Sequence, residues 1–147
     1  MSSVLAKIAS RSRLTTDTTK SRSEDGGVGL MVFGRLSNYV KSAPDRDPTG
    51  LGRWCSLVTK SGGKLVRIVV AYRPNKGRRA RQRGSGNGAG RVWSQHRRYF
   101  RGIGREGNPR KLFDIDFCAA LRSWRLAGEE LIVAGDFNDD IYRSSIA

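Results

Sequence analysis

Two polar residues, Asp136 and Asn138, follow an apolar run at residues 131–134. The carboxylate of Asp136 can carry a proton or face a metal ion, and the amide of Asn138 can donate and accept hydrogen bonds. A short, unbroken apolar run is typical of a strand covered on both faces, and open α/β sheets place their chemistry at such strand ends. Gly, Asp and Asn are also ordinary turn residues, so the motif alone leaves both an active-site rim and a simple turn open.

A second strand is expected to end in a polar side chain as well. Residues 53–59 and 64–72 flank the sequence Ser61-Gly62-Gly63, and this arrangement predicts a β-hairpin whose second strand is largely buried. That strand closes with the hydroxyl of Tyr72. On the pattern alone, Tyr72 is either a chemical group at the rim of a sheet or an aromatic residue that ends the strand.

The remaining elements favour α/β architecture, in which strands and helices alternate along the chain. Residues 28–33 predict a strand and residues 92–101 predict a helix. A second helix is expected after Asn108-Pro109, which has the form of an N-cap followed by proline at the first helical position. Its apolar residues share one face at helical spacing: Phe113, Phe117, Leu121 and Trp124.

Positive charge is the strongest feature of the composition. The chain has 147 residues, about one domain, and a formal net charge of +15 that favours polyanionic partners. Residues 73–91 predict a basic loop rich in glycine and arginine, without a large apolar anchor. Its predicted nucleic-acid contacts are Arg73, Lys76, Arg78, Arg79, Arg81 and Arg83. The alternative is a solvated surface loop with no specific partner.

Other features limit the cellular context. No run of 18 apolar residues exists, which excludes a transmembrane helix. Cys55 and Cys118 lie far apart and are too few for a disulfide framework, as in a reducing, intracellular compartment. Residues 1–13 are rich in Ser and Arg and resemble an organelle transit peptide; alternatively, a fold fragment starts there.

Three segments occur in an order that resembles a known superfamily: Gly26-Gly27-Val28-Gly29-Leu30, Ala71-Tyr72-Arg73-Pro74 and Gly135-Asp136-Phe137-Asn138. They are similar to the endonuclease/exonuclease/phosphatase superfamily, which has the deoxyribonuclease I-like fold, and most of all to the endonuclease domains of retroelements. The resemblance covers residues 26–147, after a polar N-terminal segment at residues 1–25. It implies the α/β class, as a partial two-sheet α/β sandwich truncated at both ends.

The resemblance also implies a chemistry, the Mg²⁺-dependent hydrolysis of phosphodiester bonds in nucleic acid, with DNA as the expected partner. By resemblance, Asp136 aligns or deprotonates the attacking water. Asn138 would hold Asp136 and a phosphate oxygen in position. Tyr72 would donate its hydroxyl to the phosphate in the transition state.

The chain departs from the superfamily pattern in what it lacks. Whole members carry an early asparagine, a metal-binding glutamate and a late Ser-Asp-His, none of which this sequence matches, so the metal ligands stay unassigned. The only histidine, His96, is predicted at the surface, and Asp139 is predicted to be solvated.

These departures lead to an expectation about activity. We expect an incomplete nuclease domain that is weak or inactive alone and that associates through uncovered sheet surfaces, with its oligomeric state open. The alternative is a non-catalytic, basic remnant of a retroelement that only binds nucleic acid.

Overall fold

The structure, a computed structural model, describes residues 12–18, 27–41, 45–75 and 88–139. The strands in these ranges are β1 (Ser12–Thr18), β2 (Gly27–Phe33), β3 (Asp45–Arg46), β4 (Trp54–Ser61), β5 (Lys64–Tyr72) and β6 (Glu130–Asp136). The helices are α1 (Gly88–Gly102) and α2 (Pro109–Leu126), together with a 3-10 helix, Gly34–Tyr39, after β2.

The strands form one small sheet and one larger, mixed sheet. β1 and β2 pair antiparallel, and the four-stranded sheet has the order β3-β4-β5-β6. β4 and β5 are antiparallel, whereas β5 and β6 are parallel. Parallel neighbours need a long crossover connection, and α1 and α2 lie within it. The predicted α/β class is therefore confirmed at this level: a mixed α/β chain with a four-stranded mixed sheet.

The predicted hairpin is confirmed at β4 and β5. Its turn residues, Gly62 and Gly63, have φ values of 57° and 83°. Hairpin turns with positive φ at both central residues match the twist of the flanking strands, and glycine adopts them without steric cost. The hairpin places Trp54, at the start of β4, opposite Ala71, near the end of β5.

The apolar face of α2 packs on one face of the four-stranded sheet. The helix begins as expected, because the Asn108 side chain accepts a hydrogen bond of 2.9 Å from the backbone N–H of Arg110 and Pro109 follows. The buried residues of this core are Trp54, Val69, Ala71, Phe113, Phe117 and Trp124. Burying side chains of this size typically stabilises a fold by about 1.5–3 kcal/mol each, which fixes α2 over β4 and β5.

The burial expected for residues 131–134 is wrong, although the strand itself is confirmed. Leu131 is half-buried against the α2 core, but Ile132 is 55% exposed, Val133 is 39% exposed and Ala134 is exposed. Within the described residues, β6 has a paired neighbour on the β5 side alone. An apolar run of strand length predicts a strand, but it does not supply the neighbours that would bury it.

Two further differences from the sequence-based expectations concern an additional strand and the start of a helix. β1 lies within the segment described from the sequence only as polar, and it pairs with β2 along seven residues. α1 begins at Gly88, inside the predicted loop. No helix in the described part of the chain has both the length and the apolar character needed to cross a membrane.

Candidate functional site

Tyr72 and Asp136 lie side by side at the carboxyl ends of β5 and β6. They are partners in the parallel ladder, and neighbouring strands run about 4.8 Å apart. Asp136 is exposed and Tyr72 is half-buried. The structure therefore brings together two of the three residues predicted to be catalytic, although 63 residues separate them in the chain (136 − 72 − 1).

Gly135 permits the close approach of β6 to β5 at this edge. Its φ is +150°, and a Cβ atom at this position would lie 1.9 Å from the carbonyl oxygen of Ala71. A contact of that length with backbone is impossible without moving one of the strands. Glycine is thus needed immediately before Asp136, and it sets where the carboxylate stands relative to Tyr72.

Asn138, the third predicted catalytic residue, holds the ends of the two strands together. Its backbone N–H donates a 2.9 Å hydrogen bond to Oδ1 of Asp136, and its Nδ2 donates a 2.7 Å bond to the carbonyl oxygen of Arg73. Its φ of 50° is a left-handed conformation that asparagine tolerates better than most residues. The two interpretations of the motif are thus compatible, since a turn is present and it orients the carboxylate of Asp136.

Arg73 is engaged inside the molecule. Its Nε donates to Asp114 Oδ1 at 2.7 Å and its Nη1 donates to Asp139 Oδ2 at 2.7 Å. The hydrogen bond with Asp114 raises the pKa of Arg73 above its usual value. A phosphate would have to compete with two carboxylates for this guanidinium. In the structure, Arg73 therefore connects α2 to the carboxyl ends of β5 and β6, the sheet edge that we call the rim.

Asp139 is exposed, as expected, and it is also one of the partners of Arg73. Its Oδ2 accepts from Arg73 and lies 3.4 Å from Arg110 Nη2. The other five predicted nucleic-acid contacts fall outside the described residues and stay predictions: Lys76, Arg78, Arg79, Arg81 and Arg83.

A buried ionic cluster lies behind the rim and was not expected from the sequence. Arg53 is fully buried; its Nε donates to Asp47 at 2.7 Å and its Nη1 donates to Asp116 at 2.9 Å. The carbonyl oxygen of Arg53 accepts the backbone N–H of Tyr72 at 2.8 Å, which links the cluster to the site. Burial raises the pKa of Asp116, but hydrogen bonds from Arg105 and Arg53 outweigh it and leave that pKa below its usual value.

The prediction that His96 lies at the surface is wrong. The side chain is only 1% exposed, and its Nδ1 has no hydrogen-bond partner. Burial, followed by the positive charge of Arg53, lowers its pKa to about 4, although Asp47 and a backbone hydrogen bond at Leu51 act in the opposite direction. The basic residues around it in sequence suggested exposure, but they lie on the other side of α1.

The described residues do not by themselves form a metal centre. They contain no group of three His, Cys, Asp or Glu side chains placed to hold an ion. At the rim, Asp114 and Asp139 pair with Arg73, which leaves the carboxylate of Asp136. Mg²⁺ commonly binds one or two carboxylates together with water and phosphate oxygens. Asp136 could supply one such ligand, and no other is assigned.

Comparisons of the chain with protein-family models, with curated proteins and with solved structures found no significant match. The resemblance to the endonuclease/exonuclease/phosphatase superfamily therefore stays a prediction from the three ordered sequence motifs.

Proposed function

We propose that this chain carries part of a metal-dependent phosphodiesterase site of the endonuclease/exonuclease/phosphatase type, acting on nucleic acid. One observation carries the proposal: Tyr72 and Asp136, which end two separate motifs, are ladder partners at one sheet edge. Ligands of open α/β sheets bind beyond the carboxyl ends of the strands. A phosphate placed there would meet a hydroxyl donor and a carboxylate together.

The proposed roles follow from the groups themselves. The exposed carboxylate of Asp136 would orient or deprotonate the attacking water. Asn138 acts on Asp136 through its backbone N–H, so it is a positioning residue in this arrangement. The Tyr72 hydroxyl would donate a hydrogen bond to a phosphate oxygen as negative charge develops. When bound, Mg²⁺ would neutralise phosphate charge.

The finer fold class belongs to the same proposal. A partial two-sheet sandwich of the deoxyribonuclease I-like type is supported by the position of β2, which lies close to β4 and β5. It is also supported by buried residues on the face of β4 that points away from α2, namely Cys55 and Leu57.

A second candidate function is nucleic-acid binding without catalysis. The observation in its favour is that the described residues offer a single unpaired carboxylate at the rim and no metal cluster. In this case the charge of +15 would still attract polyanions, and the turn at Asp136 and Asn138 would serve only to join the strand ends.

A nicking assay separates the two candidates. The purified chain is incubated with supercoiled DNA and Mg²⁺, beside Asp136→Ala and the matched variant Asp139→Ala, which removes a nearby carboxylate that is paired with Arg73. The proposal predicts weak nicking, because the site is incomplete, and Asp136→Ala should reduce it by at least about 10²-fold, the usual scale for losing a general base. Asp139→Ala should retain most of it. Binding without any nicking would favour the non-catalytic candidate.

A further inference from the structure

Most acidic side chains of the described residues take part in ion pairs. Seven carboxylates pair with arginine or lysine: Asp45, Asp47, Asp114, Asp116, Glu129, Glu130 and Asp139. Among the acids whose side chains are described, only Glu106 and Asp136 remain outside these pairs. The cations that the pairs leave over therefore dominate the surface charge of the part of the chain that the structure describes.

Three of the leftover cations lie on one side of α1, and others are spread over the sheet and α2. Arg97, Arg98 and Arg101 are exposed, and none of them pairs with a described carboxylate. The helix contains no acid. Its opposite face is anchored by Val92, His96 and Phe100, all buried. At 100° per residue, the three arginines lie within one arc on the solvent side.

α1 is connected to the candidate site through its buried face. Phe100 packs with Leu51 and Leu112, and the Arg53 guanidinium lies 5.4 Å from its ring centroid. Arg53 is bonded through its carbonyl oxygen to the backbone of Tyr72. Arg53 therefore links the buried face of α1 to the strand end at Tyr72, and the three arginines lie on the opposite, exposed face of the helix.

The spacing of the arginines suits a phosphate backbone. Arg101 is four positions after Arg97, which corresponds to a rise of about 6 Å along the helix. Two phosphate steps along one DNA strand span about 7 Å of the duplex axis. Guanidinium groups also match phosphate geometry with paired hydrogen bonds.

We propose that Arg97, Arg98 and Arg101 of α1 form a docking surface for the phosphate backbone of duplex nucleic acid. This surface deepens the proposed function and rests on it for the choice of nucleic acid as the polyanion. Its residues lie on α1 and are not among the contacts predicted in the basic loop. Of those predicted contacts, Arg73 is already paired with Asp114 and Asp139. The surface binds without base specificity, since contacts to phosphate carry no sequence information.

The test compares two triple variants of the full chain that lose the same charge. One is Arg97→Gln/Arg98→Gln/Arg101→Gln. The control is Lys60→Gln/Arg122→Gln/Arg125→Gln, whose residues are also exposed and have no described ion pair. Lys60 is far from the candidate site, because it lies opposite Leu65 at the start of β5, whereas Tyr72 is at the end of that strand. A labelled DNA duplex is titrated in EDTA at roughly 50–200 mM salt, and circular dichroism checks that both variants fold.

The α1 variant should bind about tenfold more weakly or worse at low salt, because it loses three phosphate contacts. The slope of log affinity against log salt should fall in magnitude by about 3, near 1 per contact, and by less than about 1 in the control. Equal losses in both variants, no loss in either, or no binding by the parent chain would overturn the proposal. Polyglutamate that competes as well as DNA would overturn the choice of a phosphate backbone. Because EDTA removes catalysis, these outcomes are independent of nicking.

Discussion

At the scale of single residues, Gly135 sets the geometry of the candidate site. Replacing it with alanine places a Cβ atom 1.9 Å from the Ala71 carbonyl oxygen at a φ of +150°. We expect Gly135→Ala to lower the free energy of unfolding by at least about 2 kcal/mol, because strand separation and backbone strain add. Urea denaturation measures this. Gly102→Ala is the matched control, since nothing lies within 4 Å of its added Cβ. Equal stability of the two variants would contradict the close approach.

His96 makes folding sensitive to mild acid. Its pKa is lowered to about 4 in the fold, against an ordinary value of 6.5, so between these values the unfolded chain binds more protons. The free energy of unfolding should therefore be highest above pH 6.5 and fall toward pH 4, by on the order of 3 kcal/mol.

The His96 prediction is tested by urea denaturation across that pH range. His96→Leu should flatten the curve between pH 6.5 and about 4.5, because His96 is the only histidine in the chain. The further fall below about pH 4 should persist in the variant, since the lowered pKa of Asp116 belongs to that lower range. An unchanged curve in His96→Leu would show that another group carries the dependence.

Individual residues differ in how far the sequence could predict them. Tyr72, Asp136 and Asn138 each follow a strand signal, and their placement at the strand ends needed only the alternation of strands and turns. The pairing of Arg73 with Asp114 spans 41 residues, and no local pattern marks it. His96 was misassigned for a related reason, because its exposure depends on the segment at Leu51 and Arg53 that packs over it.

At the scale of elements, α2 positions the rim in two ways. Its apolar face packs on Trp54, Val69 and Ala71. Its acids, Asp114 and Asp116, hold Arg73 and Arg53, which lie at the end of β5 and before β4. One helix therefore holds Arg73, which follows Tyr72 in the chain, and Arg53, whose carbonyl oxygen accepts the backbone N–H of Tyr72. A change in the register of α2 would move the whole site.

The sequence predicted the elements whose own residues show a cap, a turn or a regular apolar spacing. Helix α2 has an asparagine N-cap followed by proline, together with helical apolar spacing, and the hairpin has two glycines at its turn. Both were therefore predicted close to their observed bounds. β1 was missed, because its sequence SRLTTDT has little apolar alternation and its strand form depends on pairing with β2. The exposure of β6 was missed, because burial is decided by neighbouring strands and not by the strand's composition.

At the scale of the whole molecule, charge and apolar surface act in opposite directions. The charge of +15 makes copies of the chain repel one another. Salt screens this repulsion, with a Debye length of about 10 Å at 0.1 M and about 3 Å at 1 M. Binding to nucleic acid should therefore weaken as salt rises, whereas contacts between apolar surfaces of two copies should strengthen.

The exposed face of β6 is where we expect such self-association. Ile132 is 55% exposed on a strand that, within the described residues, pairs only with β5, and an exposed apolar edge strand favours pairing with another chain. Ile132→Lys should raise the monomer fraction in sedimentation velocity at high salt. Ile115→Lys is the matched control. Ile115 is 52% exposed on α2, so this substitution adds the same charge at a similarly exposed position outside the sheet. A chain that stays monomeric at every salt concentration, or equal effects of the two variants, would contradict association through β6.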